Sequence, residues 1–256
     1  MYEAHVWAKA PMNRKVTIWR YFRFNRFIDL LGSGQMHFAR LDQFSDQFEG
    51  ALPEGTVPLP KDSFLNKSTL PGGSPTNFER LVRTINRTGK LCTFASCWYT
   101  SEYESEAMWR LFGSDGVAIR SSFAQLCASF SGEARSVYVG EMRYLDFRTE
   151  QPPTYGNTLA TAFYKRREFE HERELRAVVV ECPDEWQSGP PQYETYRDTH
   201  PHGLKIQTNL GVLIDRIVLA PGHSQVLKEP VAALMRQHGL DKPIVPSTLD
   251  DLPTLI

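Results

Sequence analysis

The densest group of ionisable side chains in this chain is the segment from Glu170 to Arg176, which runs directly into the apolar stretch Ala177–Val180. Three carboxylates and two guanidiniums beside a buried strand are costly unless they pair with one another or belong to a site. In such a site a carboxylate can stabilise a developing positive charge, and a guanidinium can bind a phosphate through two hydrogen bonds. Because side chains two residues apart in a strand share a face, we expect Glu172, Glu174 and Arg176 on one face and the alternate residues in the core. The charge pattern also favours a helix that ends near this point and passes into a strand.

A second candidate group surrounds Arg20, which lies between Trp19 and Tyr21 in the β-branched and aromatic stretch Val16–Phe22. This composition predicts a strand. Basic and aromatic residues are interspersed from Arg14 to Arg26. Such a run can face solvent on an edge strand, or it can bind a nucleotide or RNA through phosphate contacts and base stacking. Both interpretations stay open at this point.

Ser96 and Cys97 follow one another at the end of the predicted strand Leu91–Ser96. A serine at a strand end most often satisfies backbone groups with its hydroxyl. No histidine stands at a recognised spacing from Cys97, so the sequence favours a small buried residue there over a nucleophile.

An acidic loop offers a different chemistry. Asp42, Asp46 and Glu49 are spaced like ligands of a metal ion, and together with Glu172 and Glu174 they could form a two-metal phosphodiesterase site. The alternative is that these aspartates serve turns and caps, as they usually do in loops.

Composition narrows the class of protein. The chain has 256 residues, of which 41% are hydrophobic and 23% charged, with a formal net charge of -1. These values are ordinary for a globular protein, and they exclude a molecule that binds nucleic acid or anionic membranes through overall charge. The 4 cysteines are scattered without a CxxC pair, which suits a reducing cytosol better than a disulfide framework. With no apolar run of membrane-spanning length and no signal-peptide pattern, we expect a cytoplasmic protein without a membrane partner.

The order of predicted elements indicates an α+β fold. Strands and helices mix without a regular βαβ repeat, which favours a single domain over residues 1–256 with a mixed, largely antiparallel sheet flanked by helices. Residues 51–75 are rich in Pro, Gly and Ser and are predicted to form an exposed excursion. The predicted strands are Val16–Phe22, Met36–Ala39, Leu91–Ser96, Gly116–Ile119, Ser136–Val139, Ala177–Val180, Lys205–Ile206 and Arg216–Leu219. The predicted helices are Phe27–Leu31, Asn77–Asn86, one that opens with the capping box Ser101–Glu104 and closes at Gly113, and Gln225–His238.

Several of these segments, taken in order, resemble a widespread bacterial family. They are Trp19–Phe22, Phe38–Gly50, Glu104–Trp109 with Gly116–Ile119, and Lys165–Arg176. The family is known only as a domain of unknown function, and its members often sit near defence or mobile-element genes. The resemblance spans roughly residues 16–180. It implies a toxin or phage-defence effector with a possible antitoxin-like or immunity partner, and it brings no agreed activity.

The chain also resembles the ADP-ribosyltransferase superfamily of the arginine, serine, glutamate type. Arg20, Ser96 and Glu174 follow that order on three predicted strands, and Glu172 stands two residues before Glu174 as in the glutamate pair of arginine-modifying members. The resemblance implies a split sheet and NAD as the substrate, with ADP-ribose passed to a nucleic acid or protein acceptor. The implied catalytic residues are Glu174, Glu172, Arg20 and Ser96, and the implied NAD contacts are Arg20, Tyr21, Ser96, Trp98 and Arg176.

Two alternatives remain open beside this hypothesis. The first is a metal-dependent nuclease that uses Asp42, Asp46, Glu172 and Glu174. The second is a non-catalytic module that binds a nucleotide or a partner through the face from Arg14 to Arg26.

Overall fold

The computed structural model describes residues 1–51, 87–150, 157–182 and 193–253. The predicted helix Asn77–Asn86 lies outside these ranges, as does the predicted excursion at 51–75 apart from its first residue.

The described chain alternates short strands with short helices. The strands are β1 Tyr2–Glu3, β2 Thr17–Phe22, β3 Gln35–Arg40, β4 Thr93–Thr100, β5 Val117–Ser122, β6 Val137–Glu141, β7 Arg143–Leu145, β8 Tyr164–Arg166, β9 Glu174–Val180, β10 Gly203–Gln207, β11 Arg216–Leu219 and β12 Ile244–Pro246. The α-helices are α1 Phe24–Ser33, α2 Glu106–Met108, α3 Phe123–Ser129, α4 Thr158–Thr161, α5 Tyr193–Thr199, α6 Leu210–Leu213 and α7 Ser224–Gln237, and residues 87–92 are helical as well. Leu41–Gln43, Arg167–Glu172 and Thr248–Asp250 form 3₁₀ turns, and Trp109–Gly113 forms a π turn.

Ten of these strands form one mixed sheet, in which the main path runs β1-β6-β9-β4-β2-β5-β11-β12. The pairs β1–β6 and β11–β12 are parallel, whereas the other pairs of this sheet are antiparallel. The strands β7 and β8 form a separate parallel pair. The predicted α+β class with a largely antiparallel sheet is confirmed.

The sheet forks at β4. One edge of β4 pairs with β9 from Thr93 to Tyr99. Its other edge pairs with β3 at Phe94 and Ala95, and with β2 at Tyr99 and Thr100. The residues between, Ser96 to Trp98, therefore lie where β2 and β3 diverge, and α1 fills the connection between those two strands.

Each face of the sheet carries a core. On β9, Leu175, Ala177 and Val179 enter the larger core, and Val178 belongs to a smaller cluster on the opposite face. The predicted alternation is confirmed on this strand. The charged side chains Glu174 and Arg176 share the face of the smaller cluster, and each is at most 5% exposed.

The predicted capping box at Ser101 is wrong. The helix begins at Glu106, and Ser105 caps it by accepting a hydrogen bond from the Met108 N–H at 3.4 Å. The Ser101 N–H is already engaged by the carbonyl of Thr17 at 3.2 Å. The carboxylate of Glu104 binds the Trp109 indole and the C-terminal segment instead.

Candidate functional site

A cavity of about 380 Å³ opens where the sheet forks. β2, β3 and β4 line it on one side, and the segment around Lys165, Phe169 and Glu172 together with the loop that carries Asp46 and Glu49 lines it on the other. This volume lies in the range of small-molecule sites. Five of the seven sequence-predicted site residues line this same cavity: Arg20, Tyr21, Trp98, Glu172 and Glu174.

Arg20 occupies the fork itself. Its guanidinium Nη1 donates to the Ser96 hydroxyl and to the carbonyl of Cys97 at 3.3 Å, both on β4. Its Nη2 donates to the carbonyl of His37 on β3 at 3.4 Å. These contacts use three of the five guanidinium donors. The side chain is thereby held across the gap between β3 and β4, with its charge beside the cavity.

The charge on Arg20 has no acidic partner in the described ranges, where no carboxylate lies within 4.0 Å of the guanidinium. Burial lowers the pKa of Arg20 to about 10, so the group is still a cation at neutral pH. The aromatic rings of Phe22 and Trp98 lie 5.4 and 5.9 Å from its central carbon. Arg20 is half-buried, and a cation that loses part of its hydration without a counter-ion is costly, so a bound anion would offset that cost.

Ser96 and Trp98 flank Arg20 but differ in their access to the cavity. Ser96 is 1% exposed, does not line the cavity, and donates its hydroxyl to the sulfur of Met36 at 3.2 Å. Ser96 can therefore act through Arg20, and its expected direct contact with a cofactor is not supported by this geometry. Trp98 does line the cavity, and its buried indole N–H has no hydrogen-bond acceptor within the part of the chain that the structure describes.

On the other side of the cavity, Glu174 heads β9 and is held by two cations. Arg176 donates to its carboxylate through Nε at 2.7 Å and Nη2 at 3.1 Å, and the Lys165 ammonium donates at 3.2 Å. Burial raises the pKa of Glu174, but Arg176 and Lys165 outweigh burial and lower it to about 2. Glu174 is therefore an ionised carboxylate at neutral pH.

The same two cations contact further carboxylates. Glu49 lies 3.0 Å from the Lys165 ammonium and 2.8 Å from Nη2 of Arg176, and Glu172 also accepts a hydrogen bond from Lys165. Burial lowers the pKa of Lys165, but Glu174 and Glu49 outweigh burial and raise it. Three carboxylates thus share two cations, and the half-buried Glu172 lies at the cavity. This side of the cavity carries an excess negative charge.

A tight turn brings Glu172 and Glu174 together. The 3₁₀ turn Arg167–Glu172 ends in Arg173, whose φ of 41° is left-handed, and β9 begins at the next residue. The predicted change to a strand at this point is confirmed, whereas the predicted helix before it is only this short 3₁₀ turn, which follows β8. Arg176 is fully buried behind Glu174 and does not line the cavity, so its expected direct contact with a cofactor is not supported either.

Cys97 lies between the two charged sides and lines the cavity. Burial and the neighbouring carboxylate of Glu174 raise the pKa of its thiol well above the ordinary value. The thiol is therefore protonated at neutral pH and is a poor nucleophile. Cys97 is half-buried, and so less enclosed than the sequence indicated.

The acidic loop does not assemble a metal centre. Asp42 pairs with Arg40 at 2.6 Å, and Asp46 pairs with Arg166 at 2.9 Å. Across the described residues, no group of three histidine, cysteine or carboxylate side chains is arranged to hold a metal ion. Of the carboxylates named for the nuclease alternative, Asp42 and Asp46 pair with separate arginines, whereas Glu172 and Glu174 share Lys165.

Comparison of the chain with protein-family models, curated proteins and solved structures finds no match. Both resemblances drawn from the sequence therefore stay predictions. Within the described ranges, no helix combines the length and the apolar character needed to cross a lipid bilayer.

The sequence indicated no site role for Lys165 or His37, and it predicted Glu49 beside Glu172 and Glu174 only as a metal ligand. Lys165 and Glu49 complete the ion network, and His37 lines the cavity beside Arg20. Lys165 stands in a basic run that usually faces solvent, and Glu49 was grouped with the loop aspartates. The apolar stretch after Arg176 could have indicated the ion network, because charged residues at the start of a buried strand require buried partners of opposite charge.

Proposed function

We propose that this protein is an NAD-cleaving enzyme of the ADP-ribosyltransferase type. The observation that carries the proposal is the division of charge across one cavity. The cation Arg20, which has no carboxylate partner among the described residues, lies on one side, and the carboxylate-rich group around Glu174 lies on the other. NAD combines an anionic pyrophosphate with a cationic nicotinamide ring, so its two ends match these two sides.

The order of residues in the sheet supports the same proposal. Arg20, Ser96 and Glu174 lie on β2, β4 and β9, which are neighbours in the sheet, and the cavity opens where β2 separates from β3. A split sheet with these three residue types on three strands is what the resemblance implies. The Trp98 indole N–H, which finds no acceptor in the described part of the chain, adds a buried donor that a ligand could satisfy.

Each side chain has a role in this proposal. Arg20 binds the pyrophosphate, and Ser96 holds its guanidinium in place. Glu174 stabilises the positive charge that grows on the ribose as the bond to nicotinamide breaks. Glu172, beside it and closer to solvent, orients the acceptor, and Arg176 keeps Glu174 ionised. The rings of Tyr21 and Trp98 form apolar walls.

The proposal extends to the biological setting. ADP-ribose would pass to a nucleic acid, a protein or water in the cytoplasm, as expected of a toxin or phage-defence effector controlled by an antitoxin-like partner. Incubating cell extract with NAD labelled in its adenylate group, followed by digestion with either nuclease or protease, identifies which acceptor carries the label.

The deciding experiment measures nicotinamide released from NAD by the purified protein. The wild type is expected to release nicotinamide, and Glu174→Gln is expected to lower kcat by about 10²–10³-fold, because it removes the charge opposite the developing cation. Affinity for NAD should change much less than kcat. Glu168→Gln, an exposed carboxylate on the neighbouring 3₁₀ turn, is the matched control and should keep the wild-type rate.

Because Glu174 also holds Arg176 and Lys165, each variant is first checked for native circular dichroism and cooperative unfolding. A folded Glu174→Gln with the wild-type kcat contradicts the catalytic role. A wild type that binds NAD but never releases nicotinamide points to the non-catalytic binding module, and a wild type that does neither removes the proposal.

A further inference from the structure

His37 is a cavity residue to which the proposed function assigns no role. It lies on β3 opposite Lys205 of β10, is exposed, and lines the cavity on the same side as Arg20. The carbonyl of His37 accepts a hydrogen bond from Arg20 at 3.4 Å. The two residues are thus linked across the fork.

The strand β10, which pairs with β3, leaves room for the His37 ring. A Cβ added at Gly203 of β10 would lie 2.2 Å from Cε1 and 2.9 Å from Nε2 of His37. The imidazole therefore lies directly over the glycine backbone, in space that any side chain at position 203 would occupy. This contact limits the positions that the ring can adopt beside the cavity.

Positive charge surrounds this ring. Arg20 from β2, Arg26 from α1 and Lys205 from β10 act on His37, and Asp29 from α1 is the opposing carboxylate. Lys205 pairs with Asp29 at 2.7 Å, which leaves Arg20 and Arg26 uncompensated within this group. Partial burial of the ring and then these cations lower the pKa of His37, so the imidazole is neutral at neutral pH. An anion bound beside the ring would stabilise the cationic imidazole.

We propose that His37 and Arg20 together form a phosphate-binding site at the fork of the sheet. Arg20 supplies a permanent cation, and His37 supplies a second charged donor when the ligand is bound. The identity of the ligand, the pyrophosphate of NAD or of ADP-ribose, rests on the proposed function, whereas the phosphate site itself does not require catalysis.

The physical consequence is that binding of the anion and protonation of His37 favour each other. Ligand affinity should therefore increase as the pH falls through the range in which His37 titrates, and the pKa of the His37 ring should rise when the site is filled. The pyrophosphate diester of ADP-ribose keeps its charge over this range, so the change in affinity reports on the protein.

Titration calorimetry with ADP-ribose at about pH 8 and about pH 5.5 tests the proposal. The wild type is expected to bind roughly tenfold more tightly at the lower pH, the effect of one charge-assisted hydrogen bond. His37→Asn should lose this gain, so that it binds no more tightly at the lower pH than at the higher pH. His171→Asn, an exposed histidine near Phe169 on the opposite side of the cavity, is the matched control and should keep it.

Adenosine, which lacks phosphate, should show no such pH dependence with any of these proteins. Nuclear magnetic resonance supplies a second readout that is independent of affinity. The His37 imidazole signal is assigned as the one that is missing from the spectrum of His37→Asn. In the wild type this signal should titrate at higher pH when the protein is saturated with ADP-ribose than when it is unliganded.

A wild-type affinity that does not change with pH, or a folded His37→Asn that keeps the full pH dependence, overturns the inference. If the wild type cleaves NAD and His37→Asn keeps the full pH dependence of ADP-ribose binding, the proposed function stands and this site is removed. Conversely, pH-dependent binding of ADP-ribose without any nicotinamide release would retain the site and remove the enzyme.

Discussion

At the scale of single residues, the carboxylates of this site both neutralise buried cations and border the cavity. Glu174 and Glu49 neutralise Arg176 and Lys165 inside the protein, and both also border the cavity. A buried ion network is not a strong source of stability, because each member loses hydration on folding. Removing one member is nevertheless costly, since its partner charge stays buried. Loss of activity in a variant of this group is therefore informative only when folding has been verified.

A substitution of Glu49 tests how much the buried ion network contributes to stability, with a measurement that does not depend on catalysis. Glu49→Gln keeps the shape of the side chain but removes the negative charge between Lys165 and Arg176, and we expect it to lower the free energy of unfolding by about 3 kcal/mol. Urea denaturation at neutral pH measures this change. Glu150→Gln, which removes a partner of the exposed Arg167, should cost less than about 1 kcal/mol. Equal effects of the two substitutions would contradict the network.

At the scale of elements, the fork of β4 depends on the close approach of β2 to the start of β5. A Cβ added at Gly116 would lie 2.0 Å from the carbonyl oxygen of Phe22 and 2.8 Å from the backbone nitrogen of Phe24. Backbone atoms at the junction of β2 and α1 cannot move away as a flexible side chain would. Glycine at this position therefore allows β2 to pair with β5 along its length while it diverges from β3.

Gly116→Ala is expected to lower the free energy of unfolding by about 3 kcal/mol through this backbone clash. Gly32→Ala is the matched control, because Gly32 lies in α1 and nothing stands within 4 Å of an added Cβ. Alanine there should stabilise the protein by up to about 1 kcal/mol. Urea denaturation of both variants measures the two effects. A Gly116→Ala variant with an unchanged free energy of unfolding would show that the backbone at the junction of β2 and α1 can move aside.

At the scale of the whole molecule, Glu104 ties the C-terminal segment to the middle of the chain. Its carboxylate accepts hydrogen bonds from the Ser247 hydroxyl at 2.6 Å, the Thr248 N–H at 2.6 Å and the Trp109 indole at 2.7 Å. The Trp109 ring in turn packs edge-on against Tyr21, with the ring centroids 4.9 Å apart, and Tyr21 lines the cavity. Residues far apart in the sequence thus support the wall of the site.

Glu104→Gln should lower the free energy of unfolding by about 2 kcal/mol at neutral pH, because a charged acceptor is replaced by a neutral one. Burial raises the pKa of Glu104, but the hydrogen bonds from Ser247, Thr248 and Trp109 outweigh burial and lower it below the ordinary 4.5. A lowered pKa means that the stabilisation is present above the unfolded-state pKa and is lost as the pH falls towards the folded-state value. The difference between wild type and variant should therefore shrink in urea titrations below about pH 4. A difference that is constant with pH would contradict the ionised contact.

Local patterns in the sequence predicted a large part of the fold, because they depend on near neighbours. The strand Arg216–Leu219 agrees with its predicted bounds, and the terminal helix agrees within one residue at each end. The alternation on β9 and the change to a strand at its start were also predictable. The helix start at Glu106 was not, because Glu104 is engaged by residues at the far end of the chain. The 4-residue helix α4 and the 3-residue strand β8 were missed, since elements this short carry little periodicity.

The sequence alone determined that Glu170–Arg176 holds paired charges beside a buried strand, because such charges cannot enter a core without partners. The sequence also determined that Arg20 is a cation placed between aromatic residues. Only the tertiary structure decided that Arg20 remains without a carboxylate in the described chain while Glu174 is held by Lys165 and Arg176. That outcome depends on the divergence of β2 and β3 along one edge of β4, a long-range pairing that no local pattern encodes. The same divergence places His37 beside Arg20 and opens the cavity between the two charged sides.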